Sequence, residues 1–250
     1  MPMFRSAGID LAYETYGEGN PILLIHGFAS SGSINWVNTG WVDVLRKAGW
    51  APITIDNRGH GASRKLYDPQ LYFAHDMADD AARLLDLLRH PSLPVMGYSM
   101  GARISAYLAL RHPERVTRAV WGGMGLNLVS GLEDSEEIIA ALTADSLDEV
   151  KGATGRQFRI FADHSKADRP ALAACMISSR EPMPEAAVRK ISQPTLVAVG
   201  AADDMAGDPA ALAKLLPRGE AFVIPKRNHM LSTGDPKFKA AALEFLGRTE

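Results

Sequence analysis

Short apolar segments alternate with longer amphipathic segments along most of the chain. Brief, largely uninterrupted apolar runs are typical of strands buried on both faces of a parallel sheet; they occupy residues 21–27, 51–59, 93–99, 118–123, 194–200 and 220–225. Residues 9–17 instead alternate apolar and polar positions, which predicts an antiparallel edge strand. Residues 75–90 and 236–247 carry their apolar side chains on one helical face. Strands and helices that alternate at this spacing predict an α/β fold.

One long segment interrupts this alternation. Residues 126–189 contain helical patterns, enough for three or four helices, but no convincing strand. A segment of this length is too long to be a loop in a compact domain. We therefore expect a core formed by residues 1–125 and 190–250, with an inserted helical cap over 126–189.

Length and composition exclude several classes of protein. A chain of 250 residues fits one domain that carries an insertion, and its net charge of −2 provides no basic field for nucleic acid. The single cysteine, Cys175, excludes an internal disulfide and a thiolate cluster for zinc. Because no apolar segment reaches the length of a signal peptide or a membrane span, we expect a cytoplasmic protein without nucleic-acid or membrane partners. The sequence does not indicate the oligomeric state.

The segment GYSMG, residues 97–101, places Ser99 between two glycines directly after an apolar run. The pattern Gly-x-Ser-x-Gly arises by chance in roughly one chain in ten of this length, so it is not decisive alone. It is also the pattern of a nucleophile elbow, a sharp strand-to-helix turn that exposes a reactive serine.

A serine hydroxyl needs a base within hydrogen-bond reach and a third group that orients the base. In doubly wound sheets, functional groups gather at the carboxyl ends of the strands. His229 follows the last predicted strand, and Asp203 lies three residues beyond Gly200 at the end of another, with Asp204 as a neighbouring alternative. The chain order serine, aspartate, histidine is that of the α/β-hydrolase arrangement.

Four motifs match those of a known family in order and spacing. They are HGF at 26–28, DNRGHGAS at 56–63, GYSMG at 97–101, and GAADD at 200–204 with NHM at 228–230. Over essentially its whole length, the chain resembles the α/β-hydrolase superfamily, and in particular its small esterase-like members with a helical cap. The resemblance implies an α/β-hydrolase fold with a mostly parallel, doubly wound sheet. It also implies that no metal or organic cofactor is required.

The resemblance further implies roles for individual residues. Ser99 is the nucleophile, His229 is the general base and then the acid, and Asp203 is the orienting carboxylate. The backbone N–H groups of Phe28 and Met100 form the oxyanion hole.

The substrate pocket is less well defined by the sequence. Phe28, Met100 and Met124 flank strand ends near the nucleophile, so we expect them to line an apolar acyl site, with ordinary core packing as the alternative. Arg103 either binds a structural partner along its helix or contacts a substrate carboxylate.

The leading interpretation is a serine carboxylesterase that cleaves small or medium acyl esters through an acyl-enzyme on Ser99. A carbon–carbon bond hydrolase, a lactonase, or a pyruvate-eliminating lyase like that of menaquinone biosynthesis would use the same triad. A non-catalytic ligand receptor is a more remote alternative. An apolar pocket favours the esterase, whereas two or more arginines that converge near Ser99 favour the lyase.

Overall fold

The computed structural model describes residues 1–131 and 134–248 of the chain. Eight strands form one sheet: β1 Met3–Ser6, β2 Ile9–Thr15, β3 Asn20–Ile25, β4 Trp50–Ile55, β5 Leu93–Tyr98, β6 Val116–Gly122, β7 Thr195–Gly200 and β8 Gly219–Ile224. Their order across the sheet is β1-β2-β4-β3-β5-β6-β7-β8. The pairs β1–β2 and β2–β4 are antiparallel, and the other neighbouring strands are parallel. The α/β fold with a mostly parallel sheet is therefore confirmed.

Helices connect the strands and cover the sheet. They are α1 Trp41–Lys47, α2 Ala74–Leu87, α3 Met100–Arg111, α4 Asn127–Ser130, α5 Ser135–Thr143, α6 Ala153–His164, α7 Arg169–Ser178, α8 Glu185–Val188, α9 Pro209–Leu215, α10 His229–Ser232 and α11 Pro236–Leu246. Five of them, α4 to α8, lie between β6 and β7, and the described residues of that segment contain no strand. The boundaries of a separate cap remain a prediction. No helix within residues 1–131 and 134–248 is long and apolar enough to cross a membrane.

The core has two parts, one on each face of the sheet. Along β3, Leu23 and Ile25 join one hydrophobic cluster, whereas Ile22 and Leu24 join the other. This alternation follows from the two-residue period of a strand. All four side chains are fully buried, which explains why the sequence of β3 is apolar without interruption.

The strand order reverses at β3. The chain passes from β3 to β4 on one side of it and then crosses back to β5 on the other side. β3 and β5 therefore lie side by side, with Ile25 opposite Gly97, and the loops that follow them are neighbours. Such a reversal is the usual position of a binding crevice in an open α/β sheet.

Two differences from the predicted strands have local causes. β1 was not predicted, because it has only four residues and every second one is exposed. The predicted strand 51–59 ends at Ile55 in the structure. There the carboxylate of Asp56 accepts hydrogen bonds from the backbone N–H groups of Gly32 and Ala62, at 2.8 Å each, and thereby fixes a turn.

Gly97 and Gly101 allow β5, α3 and the end of β3 to approach closely. A β-carbon added to Gly97 would lie 2.2 Å from the carbonyl oxygen of Gly101. One added to Gly101 would lie 1.9 Å from the carbonyl oxygen of Ile25. Backbone atoms occupy both places, so the two glycines of the motif are required by packing.

We expect Gly101→Ala to lower the free energy of unfolding by about 1–3 kcal/mol, because the added methyl group would force β3 and α3 apart. Gly234→Ala is the matched control, since its added β-carbon would come no closer than 3.4 Å to a neighbouring atom. Urea unfolding of both variants measures the difference. Equal unfolding midpoints would contradict the close approach at Gly101.

Candidate active site

Ser99 connects β5 to α3 through a strained backbone. Its φ of 52° and ψ of −113° lie in a region that residues with a side chain rarely adopt. Such a conformation costs of the order of 1–3 kcal/mol and persists only where the surroundings impose it. The backbone N–H of Ser99 donates to the carbonyl oxygen of Gly122 at 2.8 Å, which ties the turn to the end of β6. The geometry is that of a nucleophile elbow.

His229 and Asp203 are joined by a buried hydrogen bond. The Nδ1 atom of His229 lies 2.8 Å from Oδ2 of Asp203, whose side chain is fully shielded from solvent. The other carboxylate oxygen of Asp203 accepts from the backbone N–H groups of Met205 and Ala206 at 3.0 and 3.1 Å. Asp204 is exposed. A carboxylate can only accept, so Nδ1 carries the proton and Nε2 is the basic nitrogen.

Ser99 and His229 line the same cavity, whose volume is about 370 Å³. Within the described part of the chain, the Ser99 hydroxyl makes no hydrogen bond to the His229 ring. Catalytic hydrogen bonds are commonly long without substrate and shorten in the complex. The structure thus places Asp203 against His229, and His229 and Ser99 at one cavity.

The loop after β3 lies beside Ser99. A β-carbon added to Gly27 would lie 3.5 Å from Cβ of Ser99. The backbone N–H groups of Phe28 and Met100 have no hydrogen-bond acceptor among the described residues. Phe28 follows Gly27 in this loop, and Met100 is the first residue of α3, directly after Ser99. Their role as an oxyanion hole stays a prediction.

His26 fixes the orientation of this loop. Its Nδ1 donates to the carbonyl oxygen of Gly27 at 2.7 Å, and its Nε2 accepts from the backbone N–H of Asn57 at 2.9 Å. A carbonyl can only accept and an amide N–H can only donate, so the ring is neutral with its proton on Nδ1. His26 therefore holds the loop in place and does not line the cavity.

The cavity wall differs from the predicted one. Phe28 lines the cavity as expected, but Met100 and Met124 do not, because both side chains are buried in the core. The sulfur of Met100 lies 3.8 Å from Sγ of Cys175, beneath α7. The apolar lining consists of Phe28, Ile34, Phe158, Ile160, Phe161 and Met230. Three of these belong to α6, whose orientation over the sheet could not be predicted from its periodicity.

Arg103 is held away from the cavity. It is buried and donates to the backbone carbonyls of Asn127, Leu128 and Glu181, at 2.8, 3.0 and 2.6 Å respectively. It therefore joins α3 to the segment between β6 and β7. Of the described residues that line the cavity, none is an arginine or a lysine.

No group of three or more histidine, cysteine or acidic side chains within 1–131 and 134–248 could hold a metal ion. Sequence analysis missed Tyr98, whose hydroxyl donates to the backbone carbonyl of His229 and so braces the histidine loop. It also missed Asn35, whose side chain lines the cavity.

Comparison with known proteins identifies the family of the chain. Residues 20–159 match the family model described as the alpha/beta hydrolase fold. The chain belongs to the alpha/beta hydrolase fold family. A hydrolase from Pseudomonas aeruginosa shares the fold, with a TM-score of 0.80 at 23% identity over 99% of this chain and 98% of that one.

Two relatives are named as peroxidases and not as hydrolases. A Synechocystis protein named "Putative non-heme chloroperoxidase" is 40% identical over 118 residues, which are 46% of this chain and 41% of that protein. A Mycobacterium tuberculosis protein named "Putative non-heme bromoperoxidase" is 28% identical over 247 residues, which are 89% of this chain and 91% of that protein. Names within the family therefore span more than one chemistry, as is common for widely used folds.

Two buried histidine rings, His26 and His60, lie next to each other at the loop after β3 of this α/β hydrolase. Burial lowers the pKa of His26 from 6.5 to about 4, and burial together with the charge of a protonated His26 lowers the pKa of His60 from 6.5 to about 3. The ring centroids of His60 and Phe28 are 5.8 Å apart. Both imidazoles are neutral in the folded protein at pH 7.

We expect stability to fall as the pH drops from 7 to 5. The unfolded chain takes up protons near pH 6.5 while both folded rings stay neutral, so acid favours the unfolded state with a slope that steepens below pH 6.5 toward about 1.4 kcal/mol per pH unit for each ring. Urea unfolding across this range measures the slope. His60→Gln should remove one ring's share of this slope. A wild-type stability that is flat between pH 7 and 5 would contradict the burial argument.

Proposed function

We propose that this α/β hydrolase is a serine carboxylesterase that cleaves small or medium acyl esters through an acyl-enzyme on Ser99. The observation that carries the proposal is the 2.8 Å hydrogen bond between Asp203 and His229, at a cavity that Ser99 also lines. A histidine oriented in this way, beside a serine on a strained turn, is suited to proton transfer from the hydroxyl.

Acylation follows from the orientation of the histidine ring. Nε2 of His229 accepts the Ser99 proton as Oγ attacks the ester carbonyl carbon. Asp203 stabilises the positive charge that forms on the ring and remains ionised itself. When the tetrahedral intermediate collapses, the carbon–oxygen bond to the alcohol breaks, and His229 delivers its proton to the departing oxygen.

The negative charge on the carbonyl oxygen is stabilised by the N–H groups of Phe28 and Met100. Loss of one such donor in enzymes of this kind costs about 3 kcal/mol of transition-state stabilisation. Both amides are fixed before substrate arrives, Phe28 by the loop that His26 orients and Met100 by the first turn of α3.

Deacylation repeats the same steps with water. His229 removes a proton from a water molecule, which attacks the acyl carbon on Ser99. The carboxylic acid leaves, and the serine regains its proton from the ring.

The apolar wall supports an ester with an apolar acyl group. Phe28 lies edge-on to Phe158, with ring centroids 5.7 Å apart, so a residue of α6 packs directly on the loop beside Ser99. We propose that residues 126–189 act as a helical cap that encloses the acyl group against the core of residues 1–125 and 190–250.

The alternative reactions have less support. A pyruvate-eliminating lyase requires cationic groups for its carboxylates. Arg103 is committed to backbone carbonyls, and the cap arginines Arg156, Arg159 and Arg169 do not line the cavity. A carbon–carbon bond hydrolase or a lactonase would use the same three residues, so substrate tests must separate them. A receptor without catalysis would bind ligand in the same cavity but release no product.

Wild-type protein should hydrolyse p-nitrophenyl esters of graded acyl length, with a preference for short or medium chains. Ser99→Ala and His229→Ala should each lower kcat on the order of 10⁴-fold, and the double variant should be little worse, because the groups act as a unit. Release of p-nitrophenol gives kcat and KM directly. A negligible rate with every ester would contradict the esterase.

Asp203→Asn should lower kcat on the order of 10⁴-fold, because an amide stabilises the wrong tautomer of the histidine. Asp204→Asn is the matched control and should change kcat less than about twofold, since surface changes of this kind are mild. If the change at Asp204 were the damaging one, the assignment of the acid would be wrong.

A further inference from the structure

Asn35 occupies the wall of the catalytic cavity and is only 5% exposed. It lies in a single turn of π-helix, Ser33–Val37, after the loop that contains Gly27 and Phe28. Its Oδ1 accepts a hydrogen bond from the backbone N–H of Gly27 at 2.9 Å. The sequence gives no hint of this contact, because the two residues are separated by the whole turn.

Asn35 and His26 hold two successive peptide groups. Asn35 binds the N–H of Gly27, which belongs to the peptide between His26 and Gly27. His26 binds the carbonyl oxygen of Gly27, which belongs to the peptide between Gly27 and Phe28. In a trans peptide, the N–H points opposite to the carbonyl. The direction of the Phe28 N–H therefore depends on how His26 holds the Gly27 carbonyl and on how Asn35 holds the Gly27 N–H.

The Asn35 amide cannot be turned over without losing this contact, because Nδ2 would then face the Gly27 N–H as donor against donor. In the observed orientation, Nδ2 is buried and has no hydrogen-bond partner among the described residues. A buried donor without an acceptor is unfavourable, and each such group calls for an explanation. An apolar side chain would avoid this penalty, so the acceptor function of Oδ1 is what requires an asparagine here.

We propose that Asn35 is a positioning residue of the oxyanion hole, which holds Gly27 so that the Phe28 N–H faces the carbonyl oxygen of the acyl group on Ser99. The proposal rests on the proposed esterase function. Asn35 does not touch the reacting atoms, and its effect acts through the Gly27–Phe28 backbone. If that single amide points elsewhere, the transition state is bound less tightly, and this loss is larger than the loss in substrate binding.

The test is the kinetics of Asn35→Leu, which keeps the approximate shape of the side chain and removes the acceptor. We expect kcat to fall by roughly 10- to 100-fold with KM changed less than about threefold, since complete loss of one donor costs about 10²–10³ in kcat. The affinity for a trifluoromethyl ketone, which forms an anionic tetrahedral adduct with the serine, should fall in parallel with kcat.

Ser31→Ala is the matched control. Ser31 accepts from the N–H of Ile34 at 3.2 Å in the same turn, but its side chain does not line the cavity. It should lose a comparable hydrogen bond and leave kcat unchanged. If Asn35→Leu does not fold, as judged by its thermal transition, Asn35→Ala is measured in its place.

An unchanged kcat and ketone affinity in a folded Asn35 variant would overturn the proposal, and so would a rise in KM alone. An equal loss in Ser31→Ala would also overturn it, because the effect would then belong to the turn in general. If the wild-type protein turns over no ester, the failure lies with the proposed function. If the wild-type is active and the Asn35 variants match it, only the inference about Asn35 fails.

Discussion

The parallel pairing of β3 with β5 is the constraint on which the active site depends. Because Ile25 lies opposite Gly97, the loop that carries Phe28 and the turn that carries Ser99 emerge side by side at one edge of the sheet. Gly101 lets α3 start against the carbonyl of Ile25, which no larger residue would permit. Packing thus sets the distance between Ser99 and the loop that carries Phe28.

Two histidine rings at this edge of the sheet, His229 and His26, have different hydrogen-bond partners. His229 donates to Asp203 through Nδ1, and its Nε2 has no hydrogen-bond partner among residues 1–131 and 134–248. His26 also donates through Nδ1, but its Nε2 is occupied by the Asn57 N–H, so it can only orient the loop. In each case the partner of one nitrogen decides what the other can do. Burial keeps His26 neutral, which maintains both of its hydrogen bonds near neutral pH.

The sequence predicted the structure best at positions where the fold or the site requires one particular residue type. The glycines around Ser99 and the strand-end positions of Asp203 and His229 are of this kind, and they predicted the fold and the contact between Asp203 and His229. Met100 and Met124 were expected at the cavity because they flank strand ends, but such positions do not fix where a flexible side chain points. Asn35 was not found, because its role depends on a backbone contact across a turn that has no sequence signature.

In the proposed mechanism, His229 and the strained turn make the hydroxyl of Ser99 reactive. The most direct measurement is mass spectrometry of the protein after treatment with a fluorophosphonate, which forms a stable adduct with an activated serine. We expect one adduct per chain, on the peptide that contains Ser99, and much slower labelling when His229 is replaced by alanine. The absence of an adduct, or an adduct on another residue, would contradict this mechanism.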